Sequence, residues 1–380
     1  MLFLSLAIIL VSTKVLGMLC NKIGMPGVLG YILAGIILGP MVLNVVSSTS
    51  EIKLLAQIGV IFLMFYAGLE TNTEEFKRTA LPSTLVGVVG VIAPLILGYF
   101  TAGFFFDDFW TKIFIGVILT ATSVSITVET LSEMGKLKGK VGNIILGAAI
   151  IDDIIGLVIV SITVSLIANS GGGIDGHSLA SVFANIGAFG LIALAVLFFV
   201  PRLIKSSGLD FSRKGATPLV LAFALLLAFT SDFFGIAEII GSFVAGLTLS
   251  SIKGKRKIIS NIKTISTNFL SLIFFANIGL EAAIHGLTPT IVLMIVALTF
   301  IAIISKLIGC GFAAKVFRMS NRQAIQIGSG MVSRGEVAII VANIGLSQNI
   351  IDQDTFVIML AVTVLTTVIA PILLKFAFAE

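Results

Sequence analysis

The sequence predicts an all-α membrane protein, and three observations carry this prediction. Of its 380 residues, 57% are hydrophobic and 11% are charged, with a mean hydropathy of +1.15. A soluble fold cannot bury that much apolar surface. A membrane-length window finds thirteen apolar spans, and an internal repeat relates the first six of them to the last six. We therefore expect thirteen transmembrane helices arranged as two repeats.

The spans follow one another along the whole chain. They lie at about 2–20, 27–45, 52–69, 80–106, 112–134, 141–168, 178–200, 217–231, 236–252, 265–284, 289–314, 322–347 and 354–378. The first stretch has no basic leading segment and no small-residue cleavage site, so we expect it to remain as a helix. Cys20 and Cys310 fall in or beside apolar spans, and no disulfide framework is expected.

The basic residues orient the spans. Alternate connections are basic, as at 136–140 and 253–263, whereas the opposite connections hold only Lys53 and Lys112. Cytoplasmic connections carry the excess of Lys and Arg in membrane proteins. We expect an external N-terminus and a cytoplasmic C-terminus, which requires an odd number of spans. The net charge of +5 reflects this bias, and no nucleic-acid partner is expected.

The internal repeat has an offset of 211 residues. Gly35 in the second span corresponds to Gly246 in the ninth, and the Gly-Leu-Glu sequence at 68–70 recurs at 279–281. Seven spans separate the two copies, and an odd separation inverts the second copy. We expect two inverted six-helix repeats joined by a linker helix at 178–200, an architecture typical of secondary transporters.

Polar clusters interrupt two equivalent spans. Residues 120–127 in the fifth span include five hydroxyl side chains, and residues 328–336 in the twelfth include three glycines, Arg334 and Glu336. Unwound backbone at membrane depth must face protein or a wet cavity, and its oxygens suit a small cation. We expect two discontinuous, crossing helices. Hydroxyls that bond within an ordinary helix are the alternative, which accounts for the fifth span only.

Three ionisable residues lie near mid-membrane in other spans. Asp152 and Asp153 are adjacent in the sixth span, and Lys306 lies deep in the eleventh. Because an unpaired charge there is costly, we expect Lys306 to pair with one of the two aspartates. Adjacent helical residues diverge by about 100°, so the other aspartate can face a cavity. An ion pair that only locks two helices together is the alternative.

A supporting polar network is predicted around the two breaks. Arg334 can pair with Glu336 or with Glu129, and such a pair would fix the breaks rather than bind the ion.

The adjacent aspartates, the lysine, the Thr-Ala-Thr-Ser-Val break and the Ser-Arg-Gly-Glu-Val-Ala break together resemble one family. They are similar to the monovalent cation/proton antiporters of the second cation-antiporter family, the NapA-type and GerN-type sodium/proton exchangers, over essentially the whole chain. The resemblance implies an NhaA-like antiporter fold and a homodimer. It implies a dimerisation panel at 1–78 and 215–286, and a core at 79–168 and 287–380 that slides against the panel.

The resemblance also assigns roles to site residues. Asp153 would take the cation or the proton, Asp152 would pair with Lys306, and Thr122 and Ser123 would lie beside the ion at the first break. The implied activity is electrogenic exchange of sodium, or another monovalent cation, for protons by alternating access, with Asp153 and Asp152 as ligands of the transported Na⁺. Potassium/proton exchange or efflux is the alternative within the family.

Two other classes of protein fit the residues less well. An intramembrane aspartyl hydrolase needs two facing carboxylates, whereas neighbours on one helix diverge. A channel needs a continuous pore, and a deep lysine opposes a cation path. We therefore expect a transporter rather than an enzyme, embedded among the lipids of the plasma membrane and without a cofactor.

Overall fold

The computed structural model describes residues 2–168, 176–206, 216–252, 255–282 and 288–379, and within these ranges the chain is helical with no strand. The α-helices are α1 (Leu2–Lys22), α2 (Gly27–Leu38), α3 (Ser50–Glu70), α4 (Thr73–Arg78), α5 (Ala80–Ala102), α6 (Phe109–Ile118), α7 (Val124–Glu133), α8 (Lys140–Ala168), α9 (Gly176–Ser206), α10 (Ala216–Phe233), α11 (Glu238–Leu249), α12 (Lys255–Ile265), α13 (Ser271–Leu280), α14 (Pro289–Val316), α15 (Asn321–Gly330), α16 (Glu336–Ser347) and α17 (Gln353–Phe378). A π-helical turn, Ser266–Leu270, joins α12 to α13.

These helices confirm the class of a multi-pass helical membrane protein. Among the described residues, eight helices are long and apolar enough to cross a membrane, and five shorter apolar helices accompany them. Every predicted span overlaps at least one of the helices.

The boundaries of two predicted spans differ most from those of the helices. The second, 27–45, ends as a helix at Leu38 because the chain turns back after Gly39: the amides of Leu43, Asn44 and Val45 donate to carbonyls of residues 37–39, and Asn44 has a φ of 50°. The tenth, 265–284, extends back to Lys255, since the polar helix α12 precedes its apolar part. The apolar windows detected neither the early turn nor the polar start.

The helices pack into two groups. In the first, α2 and α3 pack against α13, α3 packs against α11, and α1 and α10 lie at the outside. In the second, α5 packs between α8 and α14, with α6, α15 and α17 around them. Helix α9 contacts α8 of one group and α11 of the other. Helix α7 of the second group reaches across to α2 and α3, so the two groups also meet at this half-helix.

Glycines allow the closest backbone contacts in the first group. A Cβ added to Gly35 would lie 2.0 Å from the Ala276 carbonyl oxygen and 2.9 Å from the Gly279 Cα. One added to Gly246 would lie 2.2 Å from the Phe65 carbonyl oxygen and 2.9 Å from the Gly68 Cα. The two contacts correspond residue by residue at an offset of 211: Gly35 with Gly246, Phe65 with Ala276, and Gly68 with Gly279. Such small-residue contacts let helices approach closely within a membrane.

Replacing Gly68 by Ala should destabilise the protein by about 1–3 kcal/mol. The new methyl group would lie 2.3 Å from the Phe243 carbonyl oxygen, and relieving this overlap requires a shift of the backbone. Thermal unfolding in detergent measures this. Gly190→Ala in α9 is the control, since nothing lies within 4 Å of a Cβ at that position. Equal unfolding temperatures for the two variants would contradict the close packing of α3 on α11.

Candidate functional site

Two helices are interrupted where the hydroxyl and glycine clusters lie. The first interruption, residues 119–123, separates α6 from α7, and the second, residues 331–335, separates α15 from α16. Both segments are buried. A helix end buried in an apolar medium needs partners for its free carbonyl and amide groups.

The two interruptions supply these partners to each other. The amide of Ser123 donates to the Ser333 carbonyl oxygen at 2.8 Å, and the Ser333 hydroxyl donates back to the Ser123 carbonyl oxygen at 2.7 Å. The Thr127 hydroxyl donates to the Gly330 carbonyl oxygen at 2.7 Å. A Cβ on Gly335 would lie 2.7 Å from the Ser123 hydroxyl oxygen. The two segments therefore lie in direct contact.

Arg334 binds main-chain carbonyls rather than a carboxylate. Its guanidinium, which is fully buried, donates to the Ala121 carbonyl oxygen at 2.7 Å and to the Ala302 carbonyl oxygen at 3.3 Å. The predicted pair with Glu129 is wrong, because neither Glu129 oxygen has a hydrogen-bond partner among the described residues. A cation beyond the C-terminal end of a half-helix satisfies carbonyls that the break leaves free. Glu336 begins α16, and its side chain lies outside the described residues.

Lys306 and Asp152 form a fully enclosed ion pair. The Lys306 Nζ lies 2.8 Å from the Asp152 Oδ1, and the two side chains are 0% and 1% exposed. The pair links α14 to α8 in the second helix group. It is the pair that the resemblance implied, and Asp152 rather than Asp153 is the partner. Removing one member would leave a buried, uncompensated charge.

Helix α5 packs closely beside this pair, which the sequence analysis did not anticipate. A Cβ on Gly90 would lie 3.0 Å from the Cys310 Sγ, and it would be in ordinary contact with the Lys306 Nζ at 3.6 Å and the Asp152 Oδ1 at 3.7 Å. One turn earlier, a Cβ on Gly87 would lie 2.7 Å from the Ala148 carbonyl oxygen of α8. Gly87 and Gly90 lie three residues apart in the predicted span 80–106. This spacing of small residues could have predicted that another helix packs closely on that face of α5.

Asp153 lies at a pocket between the two helix groups. The residue as a whole is partly exposed, although both of its carboxylate oxygens are enclosed, whereas Asp152 is 2% exposed. The pocket is lined by one residue each of α3 and α7, three residues of α8 and three of α11, namely Met64, Val124, Leu146, Ile150, Asp153, Ile239, Ile240 and Phe243. The lining is apolar apart from the carboxyl group. Asp153 therefore offers the only titratable side chain among the described residues that line this pocket.

Thr122 and Ser123 lie buried at the first interruption, directly before Val124 of the pocket. The Thr122 hydroxyl lies 3.4 Å from the Thr120 carbonyl oxygen, and the Ser123 and Ser125 hydroxyls are 3.0 Å apart. Both residues thus belong to the unwound segment that adjoins the pocket.

Two glutamates continue along α7 from the pocket. Glu129 is fully buried. Glu133, which the sequence analysis did not single out, accepts a hydrogen bond from the Gly27 amide at 2.7 Å and a longer one from the Val28 amide at 3.4 Å. These amides form the N-terminal end of α2, where a carboxylate is favourable. A glutamate closing an apolar half-helix was the signal for this contact.

Comparison with known proteins places the chain in a family. The family described as "Sodium/hydrogen exchanger, transmembrane" matches residues 6–380. The chain belongs to the sodium/hydrogen exchanger family. It is 36% identical over 385 residues to the Na(+)/H(+)-K(+) antiporter GerN of Bacillus cereus, covering 99% of this chain and 96% of that protein. It is 32% identical to a Na(+)/H(+) antiporter of Enterococcus hirae, with coverage of 98% and 96%.

A solved structure shares the fold of this exchanger. The sodium proton antiporter MjNhaP1 from Methanocaldococcus jannaschii at pH 8 superimposes with a TM-score of 0.70, covering 99% of both chains at 16% sequence identity. At this identity the match concerns the fold alone. The family assignment rests on the sequence, and it agrees with the resemblance drawn from the aspartates and the two breaks.

Changing Lys306 to Gln should lower the stability of the exchanger by about 3–5 kcal/mol, because Asp152 loses its partner at a fully buried position. Thermal unfolding in detergent measures the loss. The double variant Asp152→Asn with Lys306→Gln removes both charges and should recover most of the stability. If the double variant unfolds as early as Lys306→Gln alone, the loss comes from packing rather than from the unpaired carboxylate.

Proposed function

We propose that this exchanger moves sodium ions against protons at Asp153, one ligand at a time. The observation that carries the proposal is the separation of the two aspartates: Asp152 is enclosed in an ion pair with Lys306, whereas Asp153 lines a pocket between the helix groups. A carboxylate at such a place can take a proton or a cation, and each ligand excludes the other. If the site opens to one side of the membrane at a time, this competition produces exchange.

Oxygen ligands for the cation are available beside Asp153. A small monovalent cation is bound by carboxylate, hydroxyl and carbonyl oxygens, and the unwound segment 119–123 adjoins the pocket. Thr122 and Ser123 are therefore proposed as neighbours of the bound ion. Asp152 would join Asp153 as a ligand when the cation displaces Lys306. In that case Lys306 is released, and more than one proton crosses for each cation, which makes exchange electrogenic.

Sodium is the proposed cation, and potassium is the second candidate. The similar protein of Enterococcus hirae carries the name Na(+)/H(+) antiporter, and GerN of Bacillus cereus carries potassium in its name as well. Measuring proton movement with Na⁺, K⁺ and Li⁺ in parallel decides between them.

Alternating access is proposed to follow from two inverted repeats across thirteen spans. The support is geometric: the contact of Gly35 with Gly279 and that of Gly246 with Gly68 are the same contact displaced by 211 residues. A Cβ on Gly30 or on Gly241 would likewise meet the carbonyl oxygen of Leu16 or Leu227, and these residues are again 211 apart. Two inverted copies can exchange conformations, which gives an inward-open and an outward-open state.

The first helix group is proposed to form the fixed dimerisation panel, residues 1–78 and 215–286, and the second the sliding core, residues 79–168 and 287–380. Helices α2, α3, α11 and α13 form the continuous glycine-packed layer that a panel needs, and the core holds both interruptions and the ion pair. The basic connections orient the molecule in the plasma membrane with its N-terminus outside. A homodimer through the panel completes the proposal.

Asp153→Asn should abolish cation-dependent proton movement, because a neutral amide neither titrates nor balances the charge of a cation in a low-dielectric site. The assay follows the internal pH of proteoliposomes holding the purified protein as Na⁺, K⁺ or Li⁺ is added. Asp232→Asn, at an exposed position late in α10, is the matched control and should exchange as the unmodified protein does. Exchange at the full rate in Asp153→Asn would refute the assignment of the site.

A crosslink between panel and core should stop exchange. Glu70 at the end of α3 and Lys138 before α8 form an ion pair at 2.5 Å between the two groups, so cysteines at these positions are within reach of a cleavable bifunctional maleimide. Treated Glu70→Cys/Lys138→Cys protein should lose transport and regain it when the linker is cleaved. Each single cysteine variant treated in the same way is the control. Efficient crosslinking with undiminished exchange would show that the two groups do not slide past each other here.

A further inference from the structure

Glu129 is a buried carboxyl group that the proposed exchange at Asp153 does not use. It lies in the middle of α7 with 0% of its surface exposed. Neither of its oxygens has a hydrogen-bond partner among the described residues. Arg334, the cation expected beside it, binds carbonyl oxygens instead.

An ionised carboxylate in that environment is strongly unfavourable, because no donor or cation replaces its hydration. The group is stable there when it carries a proton. A glutamine or a methionine would fill the same space without this constraint. The position therefore holds a side chain that can gain and lose a proton deep inside the protein.

The position of Glu129 along α7 connects the pocket to the end of the helix. Val124 lines the Asp153 pocket, Glu129 follows about 7.5 Å further along the helix axis, and Glu133 follows one turn later on the same face. The basic connection after α7 is the one that the charge distribution assigns to the cytoplasm. Asp153, Glu129 and Glu133 thus form a series of carboxyl groups that runs from the pocket at mid-membrane to the predicted cytoplasmic end of α7.

The groups around Glu129 suit proton transfer. Among the charged residues, Glu133 of its own helix and Lys263 of α12 lie near enough to Glu129 to act on it electrostatically. The phenols of Tyr31 in α2 and Tyr66 in α3 are also close enough to interact with Glu129, and Tyr31 interacts with Glu133 as well. Both tyrosines belong to the panel, so Glu129 lies where core and panel meet.

We propose that Glu129 is a second proton-binding carboxyl group of the exchanger, which holds the proton in transit between Asp153 and the cytoplasmic end of α7. This inference rests on the proposed exchange at Asp153. The step is a proton transfer, in which the O–H bond of one carboxyl group breaks as that of the next one forms, and Glu133 at the C-terminal end of α7, bonded to the first amides of α2, is the last carboxyl group of the path. The cation, which needs several oxygen ligands, stays at Asp153.

The test is the pH dependence of Na⁺-driven proton movement in proteoliposomes. Glu129→Gln keeps the shape and the hydrogen-bonding capacity of a protonated carboxyl group but cannot transfer a proton, so we expect the rate to fall about tenfold or more and its pH profile to shift. Glu129→Asp should retain a titratable group and restore part of the rate. Glu74→Gln, at an exposed position in α4, is the matched control and should leave the profile unchanged.

Stability measurements separate this role from a purely structural one. A neutral amide suits the buried position at least as well as a carboxyl group, so Glu129→Gln should unfold no earlier than the unmodified protein while its transport is altered. Wild-type rate and pH profile in Glu129→Gln would overturn the inference and leave the site at Asp153 intact. Absence of cation-driven proton movement in the unmodified protein would instead refute the proposed exchange.

Discussion

The mutual hydrogen bonding of the two interrupted helices is the constraint on which the rest of the core depends. At membrane depth no water competes for the free amides and carbonyls of a broken helix, so each break must find its partners inside the protein. Ser123 and Ser333 satisfy each other, and Arg334 binds the carbonyl that follows the first half-helix. Each break therefore depends on the other for its hydrogen bonds. Together they hold α6, α7, α15 and α16 as one unit beside the ion pair.

This arrangement divides the charged groups by task. Arg334 and Lys306 are both fully buried cations, but one is bound by main-chain dipoles and the other by a carboxylate. The Ala302 carbonyl, one helical turn before Lys306, accepts from Arg334 and brings the two sites into one network. Because carbonyl oxygens satisfy the Arg334 guanidinium, its burial requires no acidic partner.

Much of the fold and part of the site could be predicted from the sequence. Composition and apolar windows located the spans because lipid imposes a length and a polarity on each helix. The enclosed aspartate–lysine pair followed from the high cost of isolated charge. The partner of Arg334 could not be predicted, since a guanidinium can donate to carbonyl oxygens as well as to carboxylates and geometry decides which of them it reaches. The end of α2 at Leu38 was missed for a similar reason: hydropathy does not register a turn that keeps apolar residues at the surface.

The ion pair of Glu70 with Lys138 has a consequence for the energetics of the whole molecule. Lys138 is 66% exposed, whereas Glu70 is 9% exposed, so the pair lies open to solvent on one side only. Dissolved ions screen such an interaction over about 8–10 Å at ordinary ionic strength. Because the pair joins the two helix groups, the proposed sliding of one group against the other would respond to ionic strength itself, apart from any ion that binds. In that proposal the transported salt acts on the protein twice, as a ligand at one carboxylate and as the medium around another.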